Sequence, residues 1–230
     1  MEQQGIYRHE LKYPIGIAEY LAIRQRIRPL MKLDKHASEH GKYLIRSIYF
    51  DNADDKALRE KKDGIQKREK FRIRYYNDDF SVIRLEKKMK HNNLCLKRNT
   101  VITEEQCRAL LSGNTNWMIS HESELVRELY VKMNSEQLRP RVLVSYIREP
   151  YIYEAGNVRV TFDSHIRTSL FQQNFLEKHS HDICALDSPG EMILEVKYDA
   201  FIPEVITNLL QTEGIRQQAF SKYGVCRRFG

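Results

Sequence analysis

The sequence predicts one domain of the α+β class, built mainly on antiparallel strands. Segments with the two-residue period of strands outnumber those with helical spacing. The helical segments do not alternate regularly with the strands, which argues against a doubly wound parallel sheet. No internal repeat, low-complexity tract or linker divides the 230 residues, so the expected domain spans 1–230. A chain of that length can bury a full core.

Taken in order, the first strand is expected at 5–13. There Arg8, Glu10 and Lys12 share one face, and Tyr7, Leu11 and Tyr13 the other. A helix follows at 16–31, with Ile17, Tyr20, Leu21, Ile27, Leu30 and Met31 at helical spacing. Strands are expected at 42–50 and 67–76; in the second, Arg68, Lys70, Arg72 and Arg74 alternate with Phe71, Ile73 and Tyr75. At 80–90, Arg84, Glu86, Lys88 and Lys90 oppose Ile83, Leu85 and Met89, and a strand at 94–102 comes next. Thr103 and Gln106 read as a capping box whose helix stops at Gly113. Ser120 is expected to cap a helix carrying Leu125, Val126, Leu129, Tyr130 and Met133. Strands at 141–149, 157–163 and 192–199 complete the set, and 174–190 reads as a loop. A last helix is bracketed by Pro203 at its first turn and Gly214 at its exit.

Apolar residues make up 41% of the chain and aromatics 10%, a folded composition. Lys and Arg exceed Asp and Glu, giving +7 at pH 7, which favours anionic partners. The opening MEQQGIYRHELKYP has no apolar h-region, and no stretch reaches the ~18 apolar residues of a membrane span, so a soluble cytoplasmic protein is expected. The four cysteines show no CxxC pair, and reduced thiols are the expected reading. His179 and His181 read as solvated, and Cys226 as a packing residue.

The charged strand faces recur: Arg159, Thr161 and Asp163 in NVRVTFD, Glu195, Lys197 and Asp199 in MILEVKYD, Tyr146 and Arg148 near the end of RVLVSYIREP. One strand of this kind is the ordinary half-wetted antiparallel strand. Many of them, dominated by cations, repel one another unless carboxylates or a polyanion offset the charge. Closing the sheet into a barrel turns these faces into the wall of a lumen with a strong field for a linear anion.

HELKY, IRSIYFDN, KREKFRIRYY, RLEKK, YIREPY, RVTFD, LEVKYD and FSKYGVCR occur in this order, and over nearly the whole chain the sequence resembles the VTC-domain polyphosphate polymerases of the triphosphate tunnel (CYTH-like) group. The resemblance implies a closed eight-stranded antiparallel β-barrel tunnel with helices outside. It implies a divalent metal, Mn²⁺ or Mg²⁺, and transfer of the ATP γ-phosphate onto a growing inorganic polyphosphate chain. On this reading Arg72, Arg74, Lys88, Arg148, Arg159 and Lys222 act on the transferring phosphates. Lys12, Arg46, Arg68, Lys70, Lys97, Tyr146 and Lys197 bind substrate, Arg68 and Lys70 at the tunnel mouth. Glu195 is the metal carboxylate, with Glu10 and Glu86 as candidates for a second ligand.

Phosphoryl transfer needs alignment and charge compensation more than covalent help. The nucleophile, a terminal phosphate, is already anionic, which fits a sequence without a visible catalytic triad. The alternatives are a triphosphate or polyphosphate hydrolase of the same fold, and a non-catalytic polyphosphate or inositol phosphate sensor. A nucleic-acid binder is disfavoured because carboxylates share the basic faces. A membrane partner is left open. Arg72→Ala or Arg74→Ala is expected to cost transfer far more than stability, on the premise that both face a solvated lumen.

Overall fold

The computed structural model describes residues 7–229 except 36, 38–39, 92–93, 170–174, 179–181, 187 and 189. In chain order the elements are β1 His9–Ile15, α1 Ile17–Ile27, β2 Lys32–Leu33, β3 Tyr43–Asp51, α2 Lys56–Lys62, β4 Lys67–Tyr76, β5 Asp79–His91 and β6 Leu94–Ile102. They continue with α3 Glu104–Leu111, α4 Glu124–Ser135, β7 Arg139–Tyr153, β8 Val158–Ser169, β9 Ile183–Cys184, β10 Met192–Tyr198, α5 Glu204–Leu210 and α6 Lys222–Cys226. The α+β class and the dominance of antiparallel pairing follow the sequence.

Eight strands form one path in the order β1-β10-β8-β7-β3-β4-β5-β6, with β2 laid on β7 and β9 on β8. Local chemistry sets its hairpins. Asn77 and Asp78 both take positive φ, 52° and 53°, as a two-residue turn between twisted strands requires. The Asn77 carboxamide also accepts the Leu44 amide at 2.9 Å, tying the turn to β3. In β8 a register shift against β7 falls between Ser145 and Ile147, and His165 sits there at φ 51°. This is a bulge, which bends the strand and re-aims side chains.

The expected closed barrel requires a ladder between the outermost strands, and the described residues do not provide one. β1 and β6 meet at a single bridge, Arg8 with Cys95, whose two backbone hydrogen bonds are 3.0 and 3.1 Å. Beyond it the free edge of β1 is taken by the C-terminal segment: the Gln218 amide donates to the Lys12 carbonyl at 2.9 Å. The sheet is therefore an open eight-strand path that curls until its edges touch.

Two apolar cores hold the curl from outside. One packs Phe71, Ile73, Leu85 and Leu143 under α3 and α4, where Cys107, Leu110, Leu125 and Leu129 are buried. The other packs Phe162, Leu194 and Val196 under Tyr20, Ile23 and Ile27 of α1, with Ile206 of α5. Each such fully buried side chain contributes about 1.5–3 kcal/mol. The Thr103 capping box forms as read: the Gln106 amide donates to Thr103 Oγ1 at 3.1 Å and the Thr103 amide to Gln106 Oε1 at 2.9 Å. The cap of α4 is Ser123 rather than Ser120, and α5 ends at Leu210, before Gly214.

Two short helices lie outside the sequence expectation. α2 is started by the Asp51-Asn52 pair, since Asp51 Oδ1 accepts the Ala57 amide and Asn52 Oδ1 the Lys56 amide, both at 2.9 Å. α6 is capped by Ser221, whose hydroxyl accepts the Gly224 amide at 3.1 Å. Tyr223 of α6 then donates its hydroxyl to Asp51 Oδ2, so one carboxylate fixes both helices. No described helix is long and apolar enough to cross a membrane.

Candidate active site

Strand alternation gathers the charged side chains on the face of the sheet turned away from the α1 and α4 cores. Cross-strand register puts Lys12 opposite Glu195, Glu195 opposite Thr161, Glu10 opposite Lys197 and Lys197 opposite Arg159. On the other half Tyr49 lies opposite Arg72, Arg72 opposite Glu86, and Lys70, Lys88 and Lys97 form a row across β4, β5 and β6. The two halves meet where Lys88 Nζ donates to both Glu10 oxygens, at 2.9 and 2.7 Å, across the β1/β6 edge.

Four carboxylates organise the cations. Glu86, 1% exposed, receives Arg72 Nε at 2.7 Å and Lys97 Nζ at 2.8 Å, with Arg74 at 3.9 Å. Asp163 takes a two-pronged bond from Arg148, and Lys222 Nζ at 2.5 Å. Glu195 lies 2.5 Å from Lys197, 3.5 Å from Lys12 and 3.4 Å from Arg148. Glu10 joins Lys88, Lys12 and Lys197. Thus Lys12, Arg72, Arg74, Lys88, Lys97, Arg148, Lys197 and Lys222 stand against Glu10, Glu86, Asp163 and Glu195, eight cations to four anions.

Burial by itself raises each of these carboxyls, and the cations outweigh it. Glu86 is held well below the usual carboxylate range by Arg72, Arg74 and Lys97. Glu195 is held there by Lys197, Lys12 and Arg148. Glu10 is likewise depressed, chiefly by Lys12 and Lys88. Burial also acts on Tyr49, but Arg72 and Arg74 win and lower its phenol. Lys70 differs: burial brings its ammonium down to about 7, Asp51 opposes, and Arg68, Lys61 and Lys88 press it lower. Its Nζ rests 4.5 Å over the Tyr223 ring.

Tyr146 is the shared floor of the arginine group. Its hydroxyl accepts Arg74 Nη2 at 3.1 Å, while Arg148 and Lys222 approach its ring at 5.4 and 4.7 Å. Ser47 accepts Arg74 Nε at 2.9 Å, and Tyr49 accepts Arg72 Nη1 at 2.8 Å. Arg159 binds Tyr43 Oη at 2.7 Å and Asp34 at 2.9 Å, and its Nε is buried without a hydrogen-bond partner.

The structure thus brings together Lys12, Arg72, Arg74, Lys88, Lys97, Arg148, Lys197, Lys222, Tyr146, Glu10, Glu86 and Glu195, with Arg159 at their border. Arg68 lies at the end of β4 and donates to the Ile65 carbonyl at 2.9 Å. Arg46 does not join them. It shares parity with Ile48 and Phe50, so its side chain goes to the opposite face, where it pairs with Asp182 at 3.0 Å. The premise of a solvated lumen around Arg74 also needs correction, because Arg74 is only 5% exposed. Part of this face is closed by Ile45, Val144 and Ile193 packing with Tyr223 and Cys226 of α6. Cys226 is fully buried, the packing role read from the sequence. His179 and His181 lie outside the described residues.

Sequence reasoning left Asp163, Tyr49, Tyr43 and Asp34 out of the candidate set. Parity could have found the first three, since Asp163 shares a strand face with Thr161 and Arg159, and Tyr49 and Tyr43 with Ser47. Nothing local marks Asp34, which reaches Arg159 only through the fold.

A divalent ion is tested by the donors present. No group of three or more His, Cys, Asp or Glu is arranged to hold a metal ion by itself among the described residues. Glu10 and Glu195 pair with the same two ammoniums, Lys12 and Lys197, which brings their carboxylates close. The Thr161 hydroxyl beside Glu195 is buried and has no partner. Hard ions such as Mg²⁺ use one or two carboxylates plus substrate phosphate oxygens, so Glu10 and Glu195 fit. Glu86, already engaged by two arginines and a lysine, fits poorly.

The VTC domain family matches residues 7–229. No curated protein matches the sequence. A candidate adenylate cyclase from Bacillus halodurans superposes with a TM-score of 0.51 at 16% identity, over 90% of this chain and 87% of its own. A second candidate adenylate cyclase, from Vibrio parahaemolyticus, gives 0.50 at 10% identity, over 96% and 98%. At such identities the likeness is one of fold.

Proposed function

The chain belongs to the VTC domain family, and from that footing we propose that it is a metal-dependent polyphosphate polymerase, moving the ATP γ-phosphate onto a growing polyphosphate chain within a basic tunnel formed by the curled sheet. The observation that carries this reading is the two-to-one excess of cations over carboxylates on one half-buried face. In a site of reduced dielectric such an excess favours a polyanion strongly.

Arg72 and Arg148 supply planar forks suited to phosphate oxygens, and Lys12, Lys88 and Lys222 supply mobile point charges. Before substrate arrives, Glu86, Asp163, Glu195 and Glu10 hold these groups in place, so little reorganisation is needed when phosphates replace them as partners. Tyr49 and Tyr146 keep Arg72 and Arg74 extended toward the same space. The attacking group is the terminal phosphate of the chain, and alignment with the γ-phosphate is the main task of the wall. Glu10 and Glu195 would hold Mn²⁺ or Mg²⁺, which when bound neutralises phosphate charge.

The test is incubation with ATP and Mn²⁺, with products resolved on a gel. Acid-labile chains support the polymerase. Free phosphate alone makes the protein a triphosphatase of the same fold. Neither product, together with tight tripolyphosphate binding, makes it a sensor.

A further inference from the structure

The cation wall is balanced by carboxylates along its length but not at its mouth. There Arg68 and Lys70 of β4 lie opposite Lys90 and Lys88 of β5. Lys88 is held by Glu10, and Lys97, next in its row, by Glu86. Arg68 instead donates to the Ile65 carbonyl. Among the described residues, no carboxylate forms an ion pair with Arg68, Lys70, Lys90 or Lys61 of α2.

Lys70 is the partly exposed member of this group whose charge is least supported. Its Nζ rests 4.5 Å over the Tyr223 ring, which attracts a cation more weakly than a carboxylate does. The anion that acts on it is Asp51, and that carboxylate is already shared out. Asp51 Oδ1 accepts the Asn52 and Ala57 amides, both at 2.9 Å, and Oδ2 accepts the Tyr223 hydroxyl. Burial, Arg68, Lys61 and Lys88 outweigh Asp51 and bring the Lys70 ammonium down to about 7. A large share of this side chain is therefore neutral amine near pH 7, and a neutral amine is a nucleophile.

We propose that Lys70 is a modification site for small acyl phosphates: the flanking cations hold the phosphate while the Lys70 amine takes the acyl group. The nitrogen attacks the acyl carbon and a C–N bond forms. The C–O bond to phosphate breaks, phosphate leaves with the electron pair, and it takes up the proton that the nitrogen loses. Arg68, Lys61 and Lys88 favour this step because they compensate the charge that the departing phosphate gains. The product is a neutral amide, which relieves repulsion among the cations. A phosphate-bearing aldehyde suits the site less well, since the imine it forms is itself protonated and keeps the positive charge. Acylation takes one cation from the mouth of the wall, and it requires no phosphotransfer activity.

The test is incubation of the full chain with acetyl phosphate at pH 8, with acetylation of each lysine followed by peptide mass spectrometry. Lys32, whose side chain is 84% exposed, is the internal comparison. Lys70 should react roughly tenfold faster than Lys32, because its neutral fraction far exceeds that of an ordinary lysine. Tripolyphosphate should slow the reaction at Lys70 and leave Lys32 unchanged. N-acetoxysuccinimide, an acyl donor without a phosphate, should favour Lys70 over Lys32 much less than acetyl phosphate does. Three outcomes overturn the proposal: equal rates at Lys70 and Lys32, no protection by tripolyphosphate, or the same preference for Lys70 with both donors. A protein that makes no polyphosphate and still acetylates at Lys70 supports it, so this inference and the polymerase reading fail separately.

Discussion

The Arg148 guanidinium donates two hydrogen bonds to the Asp163 carboxylate, Nε to Oδ1 at 2.6 Å and Nη2 to Oδ2 at 2.7 Å. Lys222, 59 positions further along the chain, reaches the same carboxylate. Asp163 is fully buried, and removing its charge leaves Arg148 and Lys222 with only Glu195, 3.4 Å from Arg148, as a nearby anion. Asp163→Asn should cost roughly 3–5 kcal/mol of stability, the scale for breaking a buried pair. Urea unfolding reads this, and saturating tripolyphosphate should restore part of it. A loss under about 1 kcal/mol would show that the charge is not needed there.

Arg72 separates charge from geometry. Arg72→Ala strips two contacts from Glu86 and should lower both stability and transfer, against the sequence expectation that transfer would suffer far more than stability. Arg72→Lys keeps the charge and loses the fork. It should reduce transfer more than tenfold while the melting temperature stays within a few degrees. Equal transfer rates in Arg72→Lys and the unaltered protein would contradict a positioning role for the fork.

Glu195 distinguishes an enzyme from a sensor. Glu195→Gln removes one anion from among Lys12, Lys197 and Arg148, so tripolyphosphate should bind at least as tightly as before. On the proposed function transfer should disappear, because the proposed metal carboxylate is gone. Weaker tripolyphosphate binding would mean that Glu195 organises the cations and that its loss collapses them.

Lys70 predicts a pH dependence. Its folded value, about 7, is below its usual 10.5. The unfolded chain therefore holds more protons between about pH 7 and 10.5, and this group's penalty to stability shrinks as pH rises across that window. A bound polyanion favours the charged form, so tripolyphosphate binding at pH 8 should take up protons. Titration in buffers of differing ionisation enthalpy measures the uptake, and Lys70→Met should reduce it. Identical uptake in both proteins would remove Lys70 from the binding face.

The acidic wall gives the opposite limb. Glu10, Glu86 and Glu195 sit below their usual 4.5, so their contribution is complete above that pH and is lost as pH falls below it.

The alternation of residues 67–76 and 80–90 was enough to assign faces, because side-chain direction in a strand depends only on position parity. That rule places Arg72, Arg74, Glu86 and Lys88 together, and it also puts Arg46 with Ile48 and Phe50, against the family resemblance. The Thr103 box was equally legible, since both of its bonds span three residues. Short-range pattern thus carries the strand faces, one helix cap and the sign of the charge on the wall.

Which carboxylate holds which cation, how far the sheet curls and what seals one part of it follow from long-range packing alone. Asp51 with Tyr223 spans 172 positions, and Gln218 with Lys12 spans 206. Such pairings are fixed by which surfaces the outer cores bring together, and no short-range period encodes them. Among the described residues the two outer strands meet at the Arg8–Cys95 bridge, a pairing 87 positions apart that no local pattern marks.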